Sequence, residues 1–213
     1  MAYSPWFFAL FTLFALFSCT GGDRAEQQTV AAKQDGIKAV QEDRGKKKYD
    51  FSALQSGDII LKHGRGWVSR RIVQILHEKE KISHCGLVIR QKDSLFIIHS
   101  VAREVSGSDG VQTISLKKFI RDTAPGSLKA VRLKAPTDTR RKMAEEALKY
   151  LSRKTPFDYD YDYTSDDKIY CSELVYRVVL NASGEDCFRK KICNKCNMLM
   201  FNSLLDTAYF KPV

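Results

Sequence analysis

Histidine is scarce in this chain. Four occur in 213 residues, at positions 63, 77, 84 and 99, so any imidazole chemistry has few candidates. Long hydrophobic runs are missing as well. The most apolar stretch, Trp6 to Phe17, falls short of the roughly 20 residues a membrane-spanning helix needs and suits a secretory signal instead. Its n-region, MAYSPW, has neither Lys nor Arg, although signals of this kind usually carry positive charge there. The set of ligands that a structural zinc wants is also lacking. Cys193-Asn194-Lys195-Cys196 is a lone C-x-x-C, and no histidine lies near it. No internal repeat or low-complexity tract is visible.

The apolar segment ends in Leu16-Phe17-Ser18-Cys19, followed by Thr20-Gly21-Gly22-Asp23. This resembles a bacterial lipobox, in which the cysteine is acylated and becomes the mature N-terminus. The resemblance implies a signal peptide over 1–18, lipidation at Cys19 and an exported protein tethered to the cell envelope. Residues 19–50 are polar and are expected to form a tether, partly helical around Val30–Gln41; a single globular domain over 51–213 follows. The six cysteines less Cys19 leave five, so at least one thiol stays free even in an oxidising compartment; Cys187, Cys193 and Cys196 are candidates for a disulfide. The net charge of +10 is spread over Lys46–Lys48, Arg70-Arg71, Lys117-Lys118, Arg140-Arg141 and Arg189–Lys191 without interleaved aromatics. That pattern describes a solvated basic surface better than a nucleic-acid site, and no nucleic-acid partner is expected.

Periodicity gives the elements. Asp58–Lys62 is a short strand and Gly66–His77 a one-faced helix. His84–Arg90 and Leu95–Val101 are apolar strands joined by a hairpin signal. Val111–Leu116 is a strand running into a short helix with Phe119 and Ile120. Lys129–Lys134 is a strand, and Asp138–Leu151 a helix turning Met143, Ala147, Leu148 and Leu151 inward. Phe157–Asp167 is an Asp/Tyr-rich loop, and Cys171–Asn181 a helix. Strands grouped with helices around them predict an α+β fold with a mostly antiparallel sheet.

One cysteine stands at the head of the last of these helices, in Ile169-Tyr170-Cys171-Ser172-Glu173-Leu174-Val175. There the helix dipole favours the ionised sulfur. A cysteine nucleophile also needs a base. His63 follows a strand and His77 ends a helix, whereas His84 and His99 are embedded in apolar strands, where a buried imidazole must find a partner. With Lys92-Asp93 as a two-residue turn, Gln91 pairs with Ser94 and His84 lies opposite Val101. His99 is then its diagonal neighbour on the same face, roughly 7–8 Å away between backbones. The same alternation turns Cys85 to the opposite face, as a core residue, and Gly86 leaves space beside the imidazole.

Three blocks in order, Gly57-Asp58-Ile59-Ile60, Ser83-His84-Cys85-Gly86-Leu87-Val88 and Tyr170-Cys171-Ser172-Glu173-Leu174-Val175, resemble the circularly permuted branch of the NlpC-type papain-like cysteine hydrolases, the YiiX/YebB-like group. The resemblance implies a permuted papain-like fold, with Cys171 as nucleophile, His84 as general base and a third polar residue orienting the imidazole. That third position is often Glu in such relatives and is His99 here. Their histidine precedes their cysteine, as in this chain. They place a tyrosine near the nucleophile; Tyr159, Tyr161, Tyr163 and Tyr170 all remain candidates. The backbone N–H of Cys171 is the oxyanion donor expected at the helix start.

These readings predict a monomeric, lipid-anchored cysteine hydrolase that needs no metal or organic cofactor and acts on amide bonds in cell-wall peptides. Acyl chemistry on lipids, as in the related lecithin–retinol acyltransferases, is the alternative. A non-catalytic binding module is a third.

Overall fold

The computed structural model describes residues 49–188 and 198–213. The signal segment, Cys19, the polar tether with its expected helix, and Cys193 and Cys196 lie outside the described residues. Among those described, Cys85, Cys171 and Cys187 are free thiols, and no helix is long and apolar enough to cross a membrane.

The strands are β1 (Ile59–Lys62), β2 (His84–Gln91), β3 (Ser94–Val101), β4 (Gly110–Ser115), β5 (Lys129–Leu133) and β6 (Phe210–Pro212). They form one sheet in the order β4-β3-β2-β1-β5-β6, with every pair antiparallel. The helices are α1 (Trp67–Leu76), α2 (Arg103–Ser106), α3 (Leu116–Arg121), α4 (Thr137–Ser152) and α5 (Cys171–Ser183), with a 3₁₀ turn at Phe201–Leu205. This is the α+β architecture the patterning predicts. The elements it missed, α2, the 3₁₀ turn and β6, are too short to establish a period.

Alternation along the strands sorts two cores. Ile59, Leu61, Cys85, Leu87, Ile89 and Ile98 face α4 and α5 in the larger one. Ile60, Val88, Leu95 and Ile97 face the opposite way, against Leu116 and Phe119 of α3 and against Leu54. On α4 the buried stripe is Met143, Ala144, Ala147 and Tyr150. Leu148, expected inward, is exposed. Tyr150 turns its ring into the core and donates its hydroxyl to Asp166 at 2.9 Å, which rotates the stripe and leaves Leu148 at its edge.

The Gly57-Asp58-Ile59-Ile60 block is a structural anchor. Gly57 takes φ +87°, and a Cβ there would come within 2.3 Å of the Arg140 carbonyl oxygen, so glycine is required. Asp58 is fully buried and accepts two bonds from the Arg132 guanidinium, at 2.7 and 2.8 Å, and one from the Gln55 N–H at 2.7 Å. A charge so deep is tolerated because its acceptor positions are filled.

Candidate active site

The hairpin register is the one expected. Gln91 pairs with Ser94, and Leu87 with Ile98. Lys92 takes the left-handed φ of 51° that a tight turn demands. His84 and His99 therefore share a face, and the His84 Nε2 lies 2.8 Å from the His99 Nδ1. Gly86 permits this meeting, since a Cβ there would stand 2.6 Å from Ile97 and 3.1 Å from the His99 Cβ. Phe119 closes the far side, stacked on His84 with ring centres 5.7 Å apart and edge-on to His99 at 6.0 Å.

His99 is 5 % exposed. Burial, followed by the charges of His84, Lys62 and Lys118, holds its pKa well below the usual imidazole value, so it stays neutral. A neutral imidazole has one ring N–H and one free lone pair. When His84 is protonated its Nε2 must donate, and the His99 Nδ1 accepts. The proton of His99 then sits on Nε2, which has no polar partner among the described residues.

Cys171 is the first residue of α5, and its neighbours pin it there. The Ser100 hydroxyl donates to the Ile169 carbonyl at 2.5 Å, the Leu199 N–H donates to the Tyr170 hydroxyl at 3.1 Å, and the Ser172 hydroxyl donates to the Leu199 carbonyl at 2.9 Å. The Cys171 thiol is held well below the ordinary thiol range. The largest cause is a hydrogen bond from the Cys85 side chain; a bond to His84 and the His84 charge act with it, and burial opposes them. With the His84 Nε2 committed to His99, Nδ1 is the ring nitrogen left for other partners. The N–H of Cys171 lies in the first helical turn, where no intrahelical carbonyl is available to it, and no acceptor for it is recorded among the described residues.

Cys85 is core, on the face opposite His84, as expected, and it also lies against the residue at the head of α5. Its S–H lies 3.4 Å from the Cys171 carbonyl oxygen, and its own pKa is driven far up by burial and by Cys171. The site wraps around one end of the sheet, with His84 on one face and Cys171 above the other. Strand alternation cannot reveal this, because α5 brings Cys171 over the Cys85 face.

A cavity of about 460 Å³ opens beside the sulfur, lined among others by His84, His99, Cys171, Tyr161 and Tyr170. The tyrosines now separate. Tyr170 is fully buried, with its hydroxyl engaged by Leu199. Tyr159 is half exposed, and its hydroxyl donates to Asp109 at 2.8 Å, away from the cavity wall. Tyr163 packs on Tyr176. Tyr161 has a left-handed φ of 57°, and its hydroxyl pKa is raised by burial and then by the adjacent Cys171. Asp158, buried beneath, accepts the N–H groups of Asp160 and Asp162 at 2.9 and 2.6 Å and so shapes the loop that carries Tyr161.

Residues 53–205 match the model for the permuted papain-like amidase enzymes of the YaeF/YiiX, C92 family. The uncharacterized protein YiiX of Escherichia coli (strain K12) is 29 % identical over 132 residues, which cover 61 % of this chain and 59 % of that protein. The match thus spans about three fifths of that relative's length. A crystal structure of metalloprotein yiiX from Escherichia coli O157:H7 superposes with a TM-score of 0.59 at 22 % identity, covering 75 % of this chain and 96 % of that one. At that identity the likeness speaks for the fold.

Proposed function

The chain belongs to the family of permuted papain-like amidases of the YaeF/YiiX kind, and from that premise we propose that it hydrolyses an amide bond in cell-wall peptides through a Cys171 acyl-enzyme, tethered to the envelope through a lipid on Cys19. The observation that carries the chemistry is the 2.8 Å contact between His84 and His99, at the wall of a cavity that Cys171 also lines.

The Cys171 thiolate adds to the carbonyl carbon, and the carbonyl π pair moves to oxygen. The Cys171 N–H and the positive end of α5 receive that oxyanion, and the Tyr161 hydroxyl faces the same space as a second donor. The His84 Nδ1–H passes its proton to the leaving nitrogen as the C–N bond breaks and a thioester remains. His84 then takes a proton from water, whose oxygen attacks the thioester, and the sulfur leaves as thiolate. His99 keeps the His84 ring in one orientation throughout, in the role a triad carboxylate fills elsewhere. Its neutrality makes the imidazolium less strongly held than a carboxylate would.

The structural neighbour is described as a metalloprotein. In this chain no group of three or more His, Cys, Asp or Glu side chains is placed to hold an ion among the described residues; these residues do not fit a metal centre, and no step is routed through one.

A lipid acyl substrate is the second reading, favoured by the apolar part of the cavity wall: Val68, Ile72, Val101, Val105, Phe157 and Met198. Purified protein given peptidoglycan stem peptides and, separately, phospholipid and acyl-ester substrates tests both. Release of a new amine from the peptides, lost in Cys171→Ala, supports the proposal. Release of fatty acid alone transfers the activity to lipids. Turnover of neither, with ligand still bound, leaves a binding module.

A further inference from the structure

Lys62 is the last residue of β1 and pairs across the sheet with His84. Its side chain lies against the same cavity as Cys171, yet its residue is only 7 % exposed. A lysine that deep is rare unless its charge is used or answered. The ammonium has three donors, and two acceptors are in place: the Phe119 carbonyl at 3.0 Å and the Asp122 carboxylate at 3.3 Å. The ammonium also sits 4.5 Å from the centre of the Phe119 ring, the ring stacked on His84. Among the described residues the third N–H has no recorded acceptor. The carboxylate that answers the charge is itself largely exposed at the cavity rim, where an incoming acid can replace it or bind beside it. Besides Cys171 and His84, the charged side chains lining the cavity are Lys62, Lys118, Arg121 and Asp122, and three of them are cations. Acidic substrate is the chemistry this imbalance selects.

We propose that Lys62 forms an anion subsite within the cavity, seating a carboxylate of the substrate next to the scissile carbonyl, with the Asp122 carboxylate occupying that seat in the free protein. This rests on Cys171 being the nucleophile, and it names the substrate class: amides whose acyl or amine part carries a nearby acidic group. Burial lowers the Lys62 pKa and the Asp122 charge raises it again, so displacement of Asp122 by a neutral substrate would leave the ammonium poorly answered, while displacement by a carboxylate would not.

Iodoacetate and iodoacetamide test this directly, because they have nearly the same shape and differ in charge. Each is attacked at its CH₂ carbon by the Cys171 thiolate; an S–C bond forms and iodide leaves with the C–I pair. The full-length protein is treated with each, and modification of Cys171 is followed by mass spectrometry, with glutathione as the reference thiol. The ratio of the iodoacetate rate to the iodoacetamide rate is expected to exceed that of glutathione by roughly tenfold or more. Lys62→Met should bring that ratio down to near that of glutathione; because both reagents meet the same thiolate, a ratio taken within one variant cancels any change in the thiolate itself. Asp122→Asn, an exposed change that does not depend on the core, should raise the ratio by freeing the seat. A ratio equal to that of glutathione overturns the proposal. A high ratio that neither variant moves assigns the anion preference to His84 and overturns the role of Lys62. Failure of the neutral reagent to modify Cys171 overturns the nucleophile reading and this proposal with it, and is told apart from the other outcomes because both reagents then fail.

Discussion

The imidazoles of His84 and His99 form a direct nitrogen-to-nitrogen hydrogen bond of 2.8 Å, in which the inner ring is almost fully buried and neutral. His99→Leu removes the acceptor and should slow both turnover and Cys171 alkylation. The loss should be smaller than for His84→Ala, where about 10²–10⁴-fold is expected for a missing general base. His99→Gln offers an amide oxygen at a similar reach and should restore part of the rate. Equal losses in all three variants would show that the second imidazole does not orient the first.

The depressed thiol predicts a pH profile. Iodoacetamide reacts with thiolate, so labelling of Cys171 should persist below the pH at which ordinary thiols stop reacting, and fall only when pH drops through the lowered pKa. The Cys85 S–H is the largest cause of that lowering. Cys85→Ala should therefore move the acid limb to higher pH, while Cys85→Ser, which keeps a donor, should move it less. Cys187, pushed up to about 12 by burial and nearby acids, should react well after Cys171.

Stability should also depend on pH through Glu173. Burial raises its pKa from 4.5 to about 8 against the opposing bond from the Tyr170 N–H and the charge of Arg177. The folded state thus binds a proton that the unfolded chain releases. The resulting stability is full below about pH 4.5 and is lost as pH rises towards about 8. Glu173→Gln should raise the melting temperature relative to the parent by an amount that grows across this window and then levels off. A difference independent of pH would contradict the buried, protonated carboxyl.

Asp58 and Arg132 form the most enclosed ion pair of the sheet, with the carboxylate fully buried. Asp58→Ala leaves a guanidinium without its partner and should cost about 3–5 kcal/mol. Denaturant melts read that loss. Cys171 in the folded fraction should label at the parental rate, because the pair lies away from the cavity lining.

Gly86→Ala should act on both stability and chemistry. The added methyl meets Ile97, the Ile98 carbonyl oxygen and His99, at a cost of about 1–3 kcal/mol for overpacking, and the displaced His99 slows Cys171 labelling. Gly57→Ala, strained at φ +87° but remote from the imidazoles, should lose stability without changing the labelling rate of folded protein.

The imidazole pair was readable because a two-residue turn fixes every pairing along the hairpin, and one buried face forbids a slip. Cys171 was readable because an apolar helical pattern begins at it. The rest depended on how separate elements fold onto one another. Lys62 looks like an ordinary strand-end lysine until α3 covers it, and Cys85 looks like filler until α5 lands above it. The four tyrosines are equivalent in the string and are told apart by their partners: Asp109 for Tyr159, Tyr176 for Tyr163 and Leu199 for Tyr170, while Asp158 curls the loop that carries Tyr161. That position 99 is histidine is visible in the sequence, but its neutrality follows from burial and then from the charges of His84, Lys62 and Lys118.

His84 and Cys171 straddle one end of the sheet, and the backbone that joins them supplies further walls of the same cavity through His99, Phe119 and Tyr161. What matters is which ends of secondary structure abut, here the start of β2 and the start of α5, more than the order in which the chain visits them. Kinship among such enzymes is written in adjacency, and a search that insists on one succession of motifs will pass over relatives whose reacting atoms superimpose.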